Sequence, residues 1–362
     1  MPVHCGVPVN PVLHPMRLDQ RVPNGEGVFR AADGGLDRRV AVLGLGFAVA
    51  APRARARPRT GAPARVGVLK FVSHAALDAD DRGFEEGLSS AGWREGIELV
   101  LIRRDAGADP GRAAAIARRF VEEDVDLVHA IATGAAQAML QTGSRIPMVF
   151  SSVTDPLAAG LVPRDSRPGS STGTHVTGVS DPWPVPLQMR TYRRFVPASR
   201  TWGTIYNPAE VNSVTHVRQM QQAAQALGLV LLEERIDRSD AVAAAAERLA
   251  DRVQAFAITS DNTTVANLEA LVAVCTRRRI PLFAGDVDSV TRGAVAAYGM
   301  DYHLVGYAAG KKAALVLDGL PPGRIPWGPV EKFSLAINLP AARAQGLVVS
   351  AELLAQADRV LR

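Results

Sequence analysis

Hydroxyl, amide and carboxylate side chains recur in this 362-residue chain at one kind of place, where an apolar strand-like run gives way to a helix-like one. Ser73 and His74 come after residues 65–71, and Thr133 and Gly134 after 127–131. Ser152, Thr154 and Asp155 close and follow the run at 147–152, where Pro156 then sits at a first helical position. In the second half Asn207 follows Tyr206, Asp261 and Asn262 follow 255–259, and Asp286 follows 281–284. Taken singly, each reads equally as a cap or a turn residue, because short polar side chains satisfy the unpaired N–H groups of a first turn. Asp155 in particular stays open between a cap and a contact. Repeated at six turns, the set is a binding inventory. Hydroxyls and first-turn N–H groups hold an anion such as a carboxylate, and Asp261 or Asp286 can neutralise an ammonium. On this reading Thr133, Ser152, Thr154 and the N–H groups after Gly134 take a carboxylate. Asn207 and Asn262 complete the polar shell, and Phe71, Leu77 or Tyr206 meet a side chain.

Motifs for covalent chemistry do not hold up. Gly169-Ser-Ser-Thr-Gly173 matches a nucleophile elbow by letter but lies in a Pro/Ser/Thr-rich loop, not between a strand and a helix. Residues 306–311 approach a phosphate-binding loop, but the spacing is one residue short and Ala313 stands where a magnesium-holding hydroxyl is needed. The seven histidines show no metal-ligand spacing, and His129 sits inside a strand-like run. No catalytic set, metal or cofactor is expected.

The elements that must position these residues alternate strand and helix from Arg65 onward. Helices of this length between strands imply parallel sheets covered on both faces. A Pro/Gly/Ser/Thr-rich stretch at 163–184, ending in Asp181-Pro-Trp-Pro184, and a second at 321–329 separate two halves of similar build. The expected fold is α/β, with two doubly wound parallel-sheet lobes forming a clamshell. In such sheets ligands sit beyond the carboxyl ends of the strands, which is where the polar turns fall.

Composition bounds the rest. The sequence is 47% hydrophobic and carries a net charge of +5, but residues 1–57 hold eight Arg against four acidic residues. The remainder has 33 basic and 32 acidic residues, so no basic face for nucleic acid is expected. Cys5 and Cys275 offer no disulfide framework; Cys275 reads as a small buried residue. Residues 1–37 read as a disordered leader, with the true start expected nearer Leu36 and the leader an over-extended translation. Residues 38–56 carry the charged, apolar and small-residue parts of a secretory signal peptide, with no lipobox cysteine.

Several of these stretches resemble the substrate-binding proteins of ABC transporters with a type I periplasmic binding fold. The resemblance rests on residues 65–71, 151–162, 176–181, 206–213, 259–262 and 293–302, and covers roughly 64–360. It implies a periplasmic, non-enzymatic solute binder with three crossings between lobes, acting as a monomer with an ABC permease in the membrane. It also implies a first lobe of 64–182 plus 293–325 and a second of 183–292 plus 326–362. Since the family includes tryptophan binders, an aromatic amino acid is the implied ligand. A sensor or regulator of the same fold is the alternative, though residues 1–60 lack a DNA-reading helix pair; an α/β enzyme is another.

Overall fold

The structure is a computed structural model that describes residues 62–330 and 332–362. The expected leader and signal peptide lie outside the described residues. The first half runs β1 (Ala64–Lys70), α1 (Ala75–Ser89), β2 (Leu99–Asp105), α2 (Pro110–Glu122), β3 (Leu127–Ile131), α3 (Thr133–Gln141), β4 (Met148–Val153) and β5 (Val176–Ser180). The second half runs α4 (Val185–Phe195), β6 (Thr201–Tyr206), α5 (Val211–Ala226), β7 (Val230–Arg235), α6 (Val242–Ala250), β8 (Ala255–Ala257) and α7 (Asn262–Ala266). It continues through α8 (Leu268–Arg278), β9 (Leu282–Asp286), α9 (Asp288–Thr291) and β10 (Ala296–Met300). The chain finishes with α10 (Tyr302–Leu317), β11 (Gly328–Pro329), β12 (Phe333–Asn338), α11 (Leu339–Ala344), α12 (Ala351–Ala355) and β13 (Arg359–Leu361).

Two sheets result, ordered β11-β5-β4-β3-β1-β2 and β13-β12-β10-β9-β8-β6-β7. All pairings are parallel except that of β10 with β12. Strands β3, β4 and β5 are buried at every position, because helices cover both faces of the sheet. That is why they read as continuous apolar runs without alternation. Phe84, Phe120 and Phe150 fill the first core, and Trp202, Phe256 and Phe283 the second; each is worth roughly 1.5–3 kcal/mol of burial.

The chain passes between the sheets three times, but two boundaries fall later than the sequence suggests. β10 pairs with β9 and β12 in the second sheet, so the return comes at Asp301, which caps α10, and not at residue 293. β11 pairs with β5 in the first sheet, and the Trp327 Nε1–H donates to Ser166 Oγ at 2.7 Å, so the last crossing follows residue 329 and not 325. Register decides both: an apolar stretch fits either sheet until its hydrogen-bond partner is known.

Glycines bring the returning helix α10 against α1. A Cβ at Gly83 would lie 2.0 Å from the His303 carbonyl oxygen, and one at Gly306 would lie 1.8 Å from that of Asp80. The Gly306–Lys311 stretch is therefore a helix-packing surface, which accounts for its glycines without any phosphate. The contact also places Tyr302, the first residue of α10, beside the end of β5.

Candidate functional site

Between the lobes lies a narrow cleft lined from both sides. The first lobe supplies His74, Ala76 and Leu77 from the start of α1, Ser152 and Thr154 from the end of β4, Asp181, and Tyr302. Facing them are Trp183, Asn212, Ser260, Asn262, Val265 and Asp286. The lobes touch directly across it: His74 Nε2 is 3.4 Å from Asn262 Oδ1, and Thr154 Oγ1 is 3.3 Å from Ser260 Oγ. The arrangement is a closed one. The lining contains two carboxylates and no Lys or Arg.

Asp181 is the chemically exposed member. Its side chain is buried; Oδ2 accepts from the Tyr302 hydroxyl at 2.5 Å, while Oδ1 has no protein partner. Burial pushes its pKa up to about 7, against the opposing pull of the Tyr302 hydrogen bond and the nearby Thr154 hydroxyl. The Tyr302 hydroxyl, itself held protonated by burial and by Asp181, accepts from Trp183 Nε1 at 3.1 Å. Trp183 is wedged in place, stacked on His216 and pressed against Gly285, where a Cβ would lie 1.9 Å from its ring.

Asp80, on the buried face of α1, shapes the floor. It accepts from Ser151 Oγ at 2.9 Å and from Ser152 Oγ, and burial raises its pKa to about 7. These bonds hold Ser152 at φ +53°, a left-handed conformation that costs a non-glycine residue on the order of 1 kcal/mol. His129 donates from Nε2 to Ser151 Oγ at 2.7 Å and stacks on Phe84. Burial lowers its pKa to about 3, so it stays neutral and serves the core.

Of the residues singled out from sequence, His74, Leu77, Ser152, Thr154, Asn262 and Asp286 line the cleft. The others are not among its lining residues. Ser73 is exposed and donates to Asp78. Thr133 is buried at the start of α3, and Gly134 gives its space to the Phe71 ring, which would lie 2.6 Å from a Cβ there. Phe71 is thereby spent on packing. Asp155 Oδ1 accepts from Leu157 N–H and Ala158 N–H and closes a turn at 156–160, where the sequence suggests a helix. Tyr206 bonds Glu233 and Arg235. Asn207 donates from its backbone N–H to Asp261 Oδ2 at 2.8 Å. Asp261 cannot take an ammonium: Ser213, Asn207 and Thr264 occupy both of its oxygens. Burial and the neighbouring Glu210 charge raise its pKa. Asp286 is in the wall, but Ser289 N–H and Oγ engage its two oxygens.

The missed residues are Asp181, Trp183, Tyr302, Ser260 and Asn212. The signal for Asp181 and Trp183 was present in Asp181-Pro-Trp-Pro184, which reads as a stiff connector because composition alone cannot show that a hinge lines a cleft.

Residues 65–361 match the family described as ABC transporter substrate binding protein. The chain belongs to that family. A tyrosine-binding protein of Clostridioides difficile is 31% identical over 273 residues, 75% of this chain and 78% of the relative. Among solved structures, a conserved domain protein from Vibrio cholerae is 32% identical with a TM-score of 0.80, covering 83% of this chain and all of the other. An ABC domain from Streptococcus pneumonia in complex with L-Trp is 28% identical with a TM-score of 0.78, at the same coverage. Like the rest of its family, this substrate-binding protein is not an enzyme.

Proposed function

We propose that this protein is the extracytoplasmic solute-binding component of an ABC importer, closing as a monomer over a zwitterionic amino acid with an aromatic side chain. One observation carries the reading: Asp181, a buried carboxylate on the cleft wall with an oxygen that no protein group claims. An ammonium fits there. With no Lys or Arg in the lining, dipoles must hold the ligand's carboxylate. Helix α1 points its first turn at the cleft through Ala76 and Leu77, and its cap residue, His74, makes no side-chain bond to those N–H groups. The Ser152 and Thr154 hydroxyls stand nearby on the same lobe. Leu77, Val265 and the Trp183 ring form the apolar wall for an aromatic group. The tyrosine-binding relative and the L-Trp complex support the same ligand class. Contacts from both lobes favour closure, since a ligand shifts an open–closed equilibrium by its differential affinity; the closed form then docks on a permease. The three-part leader at 38–56 supports export.

A thermal-shift screen over amino acids, sugars and purines tests the reading. At a concentration of about 100 Kd, tyrosine, tryptophan or phenylalanine stabilises by about 2.7 kcal/mol, a rise of roughly 5–10 °C. A shift with a sugar or purine alone rejects it. Tyrosine binding should also change the tryptophan emission, and Trp183→Phe should remove most of that change; an undiminished response would take Trp183 out of the site.

A further inference from the structure

The two asparagines on the second-lobe wall are oriented by a residue that is not itself part of the lining. Glu210 is buried at the N-terminus of α5. Its Oε2 accepts from the backbone N–H of Asn262 at 2.9 Å, from Asn262 Nδ2 at 2.8 Å and from Asn212 Nδ2 at 3.3 Å. Its Oε1 accepts from the N–H and hydroxyl of Thr263. A carboxylate only accepts, so the amide edge that faces it is the NH2 edge in both asparagines. Asn212 Nδ2 also donates to the Ser260 carbonyl at 2.8 Å, which leaves its Oδ1 without a protein partner. Asn262 Oδ1 is turned toward His74, whose Nε2 donates to it at 3.4 Å. Burial lowers the His74 pKa to about 4, so the ring adds no positive charge.

We propose that Glu210 is a positioning residue for amine selectivity: by claiming the NH2 groups of Asn212 and Asn262 it turns their oxygens to the cleft, making the second-lobe wall a surface of acceptors. That wall, with Asp286 on it and Asp181 across from it, receives an ammonium, and its acceptors give a ligand that lacks one no charged partner. The inference rests on the amino-acid reading above and extends it to the residue that enforces it. Were the amides reversed, their N–H groups would face the ligand's own donors.

The test is calorimetry, with competition where binding is weak, on the full chain. Tyrosine and tryptophan are compared with phloretic acid and indolepropionic acid, which keep the ring and carboxylate but lack the amine. In the wild type the amino acids bind more tightly than the analogues. In Glu210→Gln, whose side chain presents an amide donor to the same groups, that preference should fall about tenfold, with analogue affinity held within about twofold. A merely structural role would lower both affinities together and leave the ratio alone. Asn212→Ala removes one acceptor while leaving the Glu210 contacts to Asn262 and Thr263, and should lower the ratio in the same direction. It decides the matter if Glu210→Gln does not fold. An unchanged ratio in folded Glu210→Gln, or in Asn212→Ala where the first variant is unfolded, overturns the inference and leaves the amino-acid reading intact. A wild type that binds no amino acid overturns both.

Discussion

Asp181→Asn should weaken aromatic amino-acid binding by roughly two to three orders of magnitude, within the 2–5 kcal/mol that losing one partner of a buried charge pair costs. The replacement is isosteric and still accepts from Tyr302, so the fold stays intact and the loss reads on the ligand's ammonium. The wild type adds a pH signature. Burial in the closed cleft raises the Asp181 pKa from 3.8 to about 7. An ammonium favours the ionised form, so below pH 7 binding must expel a proton. Affinity should fall about tenfold per pH unit from pH 7 downward, and calorimetry in buffers of different ionisation enthalpy should find about one proton released at pH 6. The effect on stability has the opposite sign. Between about pH 4 and 7 the folded state holds a proton that the unfolded chain has lost, so this group's contribution to stability falls as pH rises through that window. Asp181→Asn should remove the dependence of binding and reduce that of stability by this group's share, leaving the shares of Asp80 and Asp261. A variant that keeps wild-type affinity at pH 8 would exclude Asp181 from ammonium binding.

Gly306→Ala should be the most damaging single methyl in the first lobe. The added carbon would sit 1.8 Å from the Asp80 carbonyl oxygen and 2.8 Å from its Cα. Backbone is what it meets, so no side chain can swing away, and α1 and α10 must separate along a contact that Gly83, Gly87 and Gly310 also keep close. Overpacking of this kind costs about 3 kcal/mol, which lowers Tm by roughly 6–12 °C. Because Asp80 holds Ser152 and α10 carries Tyr302, ligand affinity should drop as well. A melting temperature within about 2 °C of wild type would show that the helices have room to spare.

The alternation of apolar runs with amphipathic helices made two parallel-sheet lobes legible, because buried strands need unbroken apolar stretches and crossovers need helices of matching length. The polar strand ends gave the place of the cleft, and Ser152, Thr154, Asn262 and Asp286 are there. Local sequence could not say which polar turn residues were spent. Asp155 and Asp261 carry the same cap pattern as a ligand contact, and only the groups packed around them show Asp155 Oδ1 and both Asp261 oxygens already engaged. Asp181 looked like part of a linker because its meaning depends on Tyr302, 121 residues away. Glu210 looked like a turn residue because its partners, Asn262 and Thr263, lie more than fifty positions further on. Periodicity and composition are local quantities, and they determined the architecture of this protein. Hydrogen-bond satisfaction is a property of neighbours in space, so the division of its polar residues between holding the fold and meeting a ligand was decided only when the chain closed.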